Sequence, residues 1–286
     1  MPRPLTIALL VALAAFSSAR ADEPSPKQEA PVADAPLTPD QLAGLYAARS
    51  VRISTSGENR GEPIELHHRL MTPAEPNPGT RYPLVVFLHG AGERGTDNLA
   101  QLKYLPAWLA EPANRAAFPC FVLAPQCRPG KKWVEVDWSA EKSTPRTVPT
   151  PDMIGVIAAI QSTLDSEAID RSRVYLTGLS MGGYGSWDLA ALEPGLFAAV
   201  LPICGGGDEA TAPKLAKLPI WCFHGDADQA VPVERSRSMI EAIRAAGGEP
   251  RYSELAGVGH DSWTPAYRDR AVLEWLFAQR KPAGAK

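Results

Sequence analysis

The sequence is short of cysteine, of histidine and of long apolar runs. Four cysteines in 286 residues are too few for a disulfide scaffold. None stands as C-x-x-C, which argues against zinc ribbons and thioredoxin-like redox sites. The longest predominantly apolar run, Leu5 to Phe16, falls short of the roughly 20 residues that span a bilayer. Basic residues are not in excess: the formal net charge is −3, with no electrostatic footprint for nucleic acid. No repeat with a period of about 20–50 residues is visible. With only five histidines, at 67, 68, 89, 224 and 260, the search for a catalytic base is short. The one excess is proline: the chain has 28, about twice the usual share of roughly 5%.

Seven of those prolines lie in the first 39 residues. Arg3 precedes the apolar run, and Ala19-Arg20-Ala21 fits a small-x-small cleavage site. Residues 1–21 therefore read as a secretory signal peptide, with a secreted or periplasmic product that carries no membrane span. Residues 22–40 read as a Pro-, Ala- and acid-rich tether with little to bury. A short helix is expected near its end, with Thr38 as N-cap and Pro39 in the first turn. Residues 41–286 read as one catalytic domain.

In that domain short apolar strands alternate with helices. Val51–Ser54 and Ile64–Met71 predict an antiparallel hairpin around a turn-rich segment. Strands are expected at Leu84–Leu88, Phe121–Ala124, Val174–Thr177, Ala198–Ile203, Ile220–Phe223 and Tyr252–Leu255. Helices are expected at Leu99–Ala110, Pro151–Leu164, Ser180–Leu192, Val233–Ala246 and Tyr267–Gln279. This order implies an α/β fold: a mostly parallel sheet covered on both faces, with functional residues just beyond the C-terminal strand ends. A long loop, about 126–150, carries Trp133 and Trp138 and should overhang the site. Cys120 and Cys127 flank a predicted strand and stand too far apart to bridge. Cys204 and Cys222 lie on strands that could be neighbours, so a bridge there stays open beside four buried thiols.

Gly178-Leu179-Ser180-Met181-Gly182 matches G-x-S-x-G. By composition alone such a match turns up in roughly one chain in ten of this length. Its setting, after the strand VYLT and before a helix, is the one in which the motif presents a nucleophile. The glycines leave room for a tight turn, and Ser180 stands at a helix N-terminus, where negative charge is favoured. A serine nucleophile needs a base. In this fold order the base follows both serine and acid, and His260 is the one histidine late enough. The acid should follow the next-to-last strand, where HGDADQAVP offers Asp226 and Asp228. Asp228 sits further into the loop and can turn toward His260, while Asp226 is expected to bond to loop backbone. A metal held by His224, Asp226 and Asp228 would lack a complete shell. The backbone N–H groups of Met181 and Ala91 are the expected oxyanion hole, with His89 shaping the loop below it. His67 and His68 are expected on the surface. Arg94 either pairs with Glu93 or another acid, or meets a substrate carboxylate. Trp133 and Trp138 either pack the loop or stack on substrate. Trp187 is read as core and Trp263 as pocket wall.

LHGAGERGTDN, LAPQC, TGLSMGGYGSWDLA, FHGDADQAVP and GVGHDSW, in this order, resemble the α/β-hydrolase superfamily of serine hydrolases. They are similar above all to secreted phospholipase/carboxylesterase-like proteins, relatives of feruloyl esterases and of the catalytic domain of prolyl oligopeptidases. The resemblance spans about residues 50–280. It implies that Ser180, Asp228 and His260 form a triad and that Met181 and Ala91 form the oxyanion hole. It implies no cofactor and no metal. The implied substrate is a small-molecule or polysaccharide-linked ester. A peptidase of the prolyl-oligopeptidase type would use the same triad, but that family's propeller domain has no room in this chain. A non-catalytic binding protein of the same fold would lack a triad residue, and none is missing.

Overall fold

The computed structural model describes residues 37–54, 63–142 and 148–282, together with Met1. The expected signal peptide, and the tether as far as residue 36, lie outside the described residues. Among the described residues no helix is long and apolar enough to cross a membrane.

Helix α1 (Pro39–Leu45) opens the fold. Thr38 Oγ1 accepts from the Gln41 N–H at 3.3 Å, and Gln41 Oε1 accepts from the Thr38 N–H at 2.9 Å, closing a capping box. The chain passes directly into β1 (Tyr46–Ile53), which pairs antiparallel with β2 (Ile64–Met71). The hairpin is the expected one, and its first strand begins earlier than the sequence signals. β3 (Tyr82–Leu88) leads to α2 (Leu105–Ala110), α3 (Pro112–Ala117) and β4 (Phe121–Pro125). Next come α4 (Pro151–Ser166), β5 (Ile169–Leu179), α5 (Met181–Leu192) and β6 (Ala199–Ile203). The remainder is α6 (Ala212–Leu215), β7 (Trp221–Gly225), α7 (Glu234–Ala245), β8 (Arg251–Leu255), α8 (Trp263–Arg268) and α9 (Arg270–Ala278).

The strands form one sheet in the order β1-β2-β4-β3-β5-β6-β7-β8. β2 pairs antiparallel with β1 and β4, and the ladders from β4 to β8 are parallel. β3 explains why both faces are covered, since every residue of YPLVVFL is buried. Leu84, Val86 and Leu88 pack in one core with Met153 and Ile160 of α4, Leu189 of α5 and Ile240 of α7. Val85 and Phe87, pointing the other way, pack with Leu105 and Leu109 of α2 and with Tyr267, Val272 and Leu276. The same alternation corrects one expectation: His68 lies between inward-facing Leu66 and Leu70 and is buried, not a surface residue.

Two prolines mark interruptions in the ladders. The register between β3 and β5 shifts between Tyr82 and Leu84, at Pro83. In β6, the Val200 N–H donates to the Pro219 carbonyl at 3.0 Å and the Cys204 N–H to Phe223 at 2.9 Å. Pro202, between them, has no N–H to give, and β6 meets β7 only at Val200–Ile220 and Ile203–Phe223.

Two expected helices are broken. The segment 99–110 is a short 3-10 turn, Ala100–Leu102, followed by α2. A continuous helix would drive the Pro106 ring into the carbonyl four residues earlier, so Pro106 is accommodated in the first turn of α2. The closing helix is α8 and α9, parted at Asp269, whose carboxylate accepts the Ala271 N–H at 2.9 Å and so starts a new helix. The helix expected from Ser180 begins one residue later, at Met181. All four cysteines are buried free thiols, so the bridge left open between Cys204 and Cys222 is not formed.

Candidate active site

β5 delivers Ser180 to the C-terminal edge of the sheet. Ser180 has φ 54 and ψ −118, a left-handed conformation that an L-residue adopts only under strain. Its N–H donates to the Ile203 carbonyl at 3.0 Å, and its own carbonyl accepts from the Tyr184 N–H at 3.1 Å. The elbow is pinned to β6 on one side and starts α5 on the other. The flanking glycines are steric requirements. A methyl group on Gly178 would collide with the Gly182 carbonyl, and one on Gly182 with the carbonyl of Leu88.

His260 stands on the loop between β8 and α8. Its Nε2 lies 2.9 Å from Ser180 Oγ, and its Nδ1 lies 2.7 Å from Asp228 Oδ2. Trp263 meets the imidazole edge-on, with ring centroids 5.2 Å apart. Asp228, on the loop after β7, has a fully buried side chain. Its Oδ1 accepts the N–H groups of Ala230 and Val231 at 2.8 and 3.0 Å. Burial alone would raise this carboxyl. The hydrogen bonds from His224, His260, Val231 and Ala230 outweigh it and hold Asp228 well below the usual carboxylate range. Asp226 points elsewhere: its carboxylate accepts the Gly257 N–H at 2.7 Å and ties the acid loop to the histidine loop. Ser180, Asp228 and His260, chosen from the sequence, are thus brought into one hydrogen-bonded chain.

Met181 is the first residue of α5, so its N–H is among the helix donors without an intrahelical acceptor. Ala91 opens a 3-10 turn, Ala91–Glu93, directly after His89-Gly90 at the end of β3. His89 is buried beneath that turn. Its Nδ1–H donates to the Gly90 carbonyl at 2.6 Å, and its Nε2 accepts from the Cys127 N–H at 2.9 Å. That pattern is met by a neutral ring, and burial pushes His89 down to about 4. Trp133 donates its indole N–H to the His89 carbonyl at 3.0 Å and is fully buried, so it packs the loop. Trp138 is half-buried and borders an open cleft of about 570 Å³ with Lys132, Val136 and Ala230. Lys132 Nζ sits 4.9 Å above the Trp138 ring.

Arg94 forms no ion pair with Glu93 and instead bonds to backbone. Its Nε donates to the Ala91 carbonyl at 2.8 Å and a terminal nitrogen to Lys131 at 3.2 Å, tying the Ala91 turn to the overhanging loop. Glu93 is buried against this turn, and burial raises its carboxyl. Trp187 is core, and Trp263 borders His260. Sequence reasoning missed two neighbours of the site. His224 Nε2 lies 3.2 Å from Asp228 Oδ2; the i, i+4 spacing in HGDAD was its only signal. Tyr104 meets Trp263 edge-on, with centroids 5.5 Å apart, and nothing in its local sequence marks it.

Among the described residues, Cys204, Asp228 and His260 place one donor atom each within 4.8 Å of one another. Burial raises the Cys204 thiol.

The profile of the phospholipase/carboxylesterase family matches residues 75–270. A solved thermostable esterase is 39% identical, with a TM-score of 0.74, over 84% of this chain and 64% of its own. The chain thus spans a little under two thirds of that esterase. NocK of Nocardia uniformis subsp. tsuyamanensis, an esterase by name, is 27% identical over 254 residues, 86% of this chain and 69% of NocK. The acylaminoacyl peptidase of Pyrococcus horikoshii shares the fold, with a TM-score of 0.58 at 15% identity, over 85% of this chain and 43% of its own. The sheet order, the serine elbow and the matched span together place the chain in the phospholipase/carboxylesterase family, ester-hydrolysing members of the α/β-hydrolase fold.

Proposed function

We propose that the protein is a secreted serine esterase that works through Ser180, His260 and Asp228 and a covalent acyl-enzyme. The observation that carries this reading is the unbroken chain from Ser180 Oγ to His260 Nε2 at 2.9 Å and from His260 Nδ1 to Asp228 at 2.7 Å. In the first step Ser180 Oγ attacks the ester carbonyl carbon while its proton passes to His260 Nε2. Charge then develops on the carbonyl oxygen, and in this reading the N–H groups of Met181 and Ala91 donate to it. As the tetrahedral intermediate collapses, His260 returns the proton to the departing alkoxide and the alcohol leaves. Water then attacks the acyl carbon as His260 takes its proton; the bond to Ser180 Oγ breaks, His260 returns the proton to that oxygen, and the carboxylic acid leaves. Asp228 stays ionised throughout, holding Nδ1–H and stabilising the imidazolium.

The substrate in this reading is a small-molecule or polysaccharide-linked ester. Export rests on Arg3, the apolar run to Phe16 and the Ala19-Arg20-Ala21 site. The experiment is a Ser180→Ala variant assayed on short p-nitrophenyl esters, together with fluorophosphonate labelling of the unaltered protein. Turnover should fall by about three orders of magnitude or more, and the label should map to Ser180. Undiminished turnover, or labelling at another residue, refutes the assignment.

A further inference from the structure

One oxygen of Asp228 serves two histidines. His260 Nδ1 is 2.7 Å from Oδ2 and His224 Nε2 is 3.2 Å from the same atom. His224, fully buried, stands near the end of β7, four residues before Asp228. Its Nε2 also faces the Val231 carbonyl at 3.1 Å. A carboxylate and a carbonyl can only accept, so the hydrogen belongs on Nε2. On the other side of the ring, Nδ1 lies 2.7 Å from Ser236 Oγ. That hydroxyl also reaches the Gly205 carbonyl at 3.1 Å and receives Cys222 Sγ at 3.3 Å. With a hydrogen on Nε2 facing Asp228 and Val231, and Nδ1 against the Ser236 hydroxyl, both ring nitrogens have partners. This proton assignment follows from the donor and acceptor inventory.

We propose that His224 is a positioning residue for the hydrolytic reaction: it locks the Asp228 carboxylate and shares the oxygen that binds His260, and so sets how readily His260 takes the Ser180 proton. The proposal rests on the esterase reading of Ser180. Oδ1 accepts from Ala230 and Val231, while Oδ2 has His260 Nδ1 at 2.7 Å and His224 Nε2 at 3.2 Å, so the carboxylate is engaged at both oxygens. Without the His224 donor, Oδ2 presents more of its charge to His260, which favours the imidazolium. Hydrolysis needs neutral His260, so the acid limb of kcat/KM should move to higher pH. A carboxylate freed to turn should also lower kcat more than it changes KM.

The groups facing His224 come from every side of its pocket. Asp228 lies on the acid loop with His260 beyond it, Ser236 on α7 and Cys222 on β7. Glu254, its register partner on β8, is engaged by Arg237 and Tyr252. Cys204, within 4.8 Å of the Asp228 and His260 donor atoms, closes the set. Burial raises both thiols, Cys222 to about 12, so neither titrates in the working range.

The test compares His224→Leu, His224→Gln and Ser236→Ala with the unaltered enzyme on p-nitrophenyl acetate from about pH 5 to 9. Ser180→Ala serves as the control. His224→Leu should lower kcat about tenfold, with KM within about twofold, and raise the acid limb by about half a pH unit or more. Gln, whose amide reaches toward the Nε2 position, should restore most of both. Ser236→Ala leaves the imidazole in place but removes the hydroxyl at its Nδ1, and should move the limb the same way by less. It also decides the matter if His224→Leu does not fold. Acid limbs that superpose on the unaltered enzyme in every folded variant overturn the proposal, as does a folded Gln variant no better than Leu. If Ser180→Ala keeps its turnover, the esterase reading falls and the proposal with it. If Ser180→Ala is inactive and the limbs do not move, only the role of His224 falls.

Discussion

Ser180 and Tyr104 share one strained backbone conformation: φ 54 and ψ −118 at the serine, φ 60 and ψ −122 at the tyrosine. Each caps a helix with a non-glycine residue where glycine would be at ease. The strain at Tyr104 is held by its ring, which meets Trp263 at 5.5 Å and Trp108 at 6.4 Å between centroids. That ladder runs on to His260 through Trp263.

Two substitutions at Tyr104 separate strain from packing. Tyr104→Ala loses the aromatic contacts and keeps the strain, since alanine still has a Cβ. Tyr104→Gly loses the same contacts and releases about 1–2 kcal/mol of strain. The glycine variant should therefore be the more stable of the two in urea, the reverse of the order at an ordinary position. A glycine variant less stable than the alanine variant would mean that the conformation stores no strain.

Trp133 and His89 join the overhanging loop to the Ala91 turn through one indole N–H at 3.0 Å. Trp133→Phe keeps most of the buried ring but leaves the His89 carbonyl without this donor. Stability should fall by about 1–3 kcal/mol. With the Ala91 N–H as the proposed oxyanion donor, disturbing this turn should lower kcat for ester hydrolysis more than it changes KM. Equilibrium unfolding and steady-state kinetics on the same preparation read both effects. Unchanged stability would show that the carbonyl finds another donor.

His68 and His89 give stability a defined pH dependence. Burial lowers both to about 4, against an ordinary value near 6.5 in the unfolded chain. The native state excludes protons that the unfolded state takes up, so this contribution is fully present above about pH 6.5. It is lost as pH falls toward about 4, and levels off below. Within that window each histidine should contribute a slope approaching 1.4 kcal/mol per pH unit. His68→Gln should remove about half of it. Stability that stays flat across the window in the unaltered protein would refute the buried neutral state of both.

Much of this architecture is written in local patterns. The fully apolar strand YPLVVFL demands cover on both faces, and the glycines around Ser180 admit only a tight elbow. The five motifs fall in the order that a sheet of this topology carries to one edge. Apolar periodicity runs through Pro106 and Asp269, and it does not show that the chain starts a new helix at each.

Side-chain partnerships were decided by the tertiary structure. Arg94 bonds two backbone carbonyls, one of them 37 residues away, because the segment around Lys131 lies against the Ala91 turn. Trp133 is buried for the same reason, while Trp138, five residues on, is left at the cleft. His224 and His260 reach one carboxylate oxygen because the ends of β7 and β8 lie side by side in register. Sequence by itself determined which residue types stand at the ends of the strands. Only the packed sheet brought the loops from separate strands within hydrogen-bonding distance, because that convergence depends on strand register and loop path rather than on any neighbour in the chain.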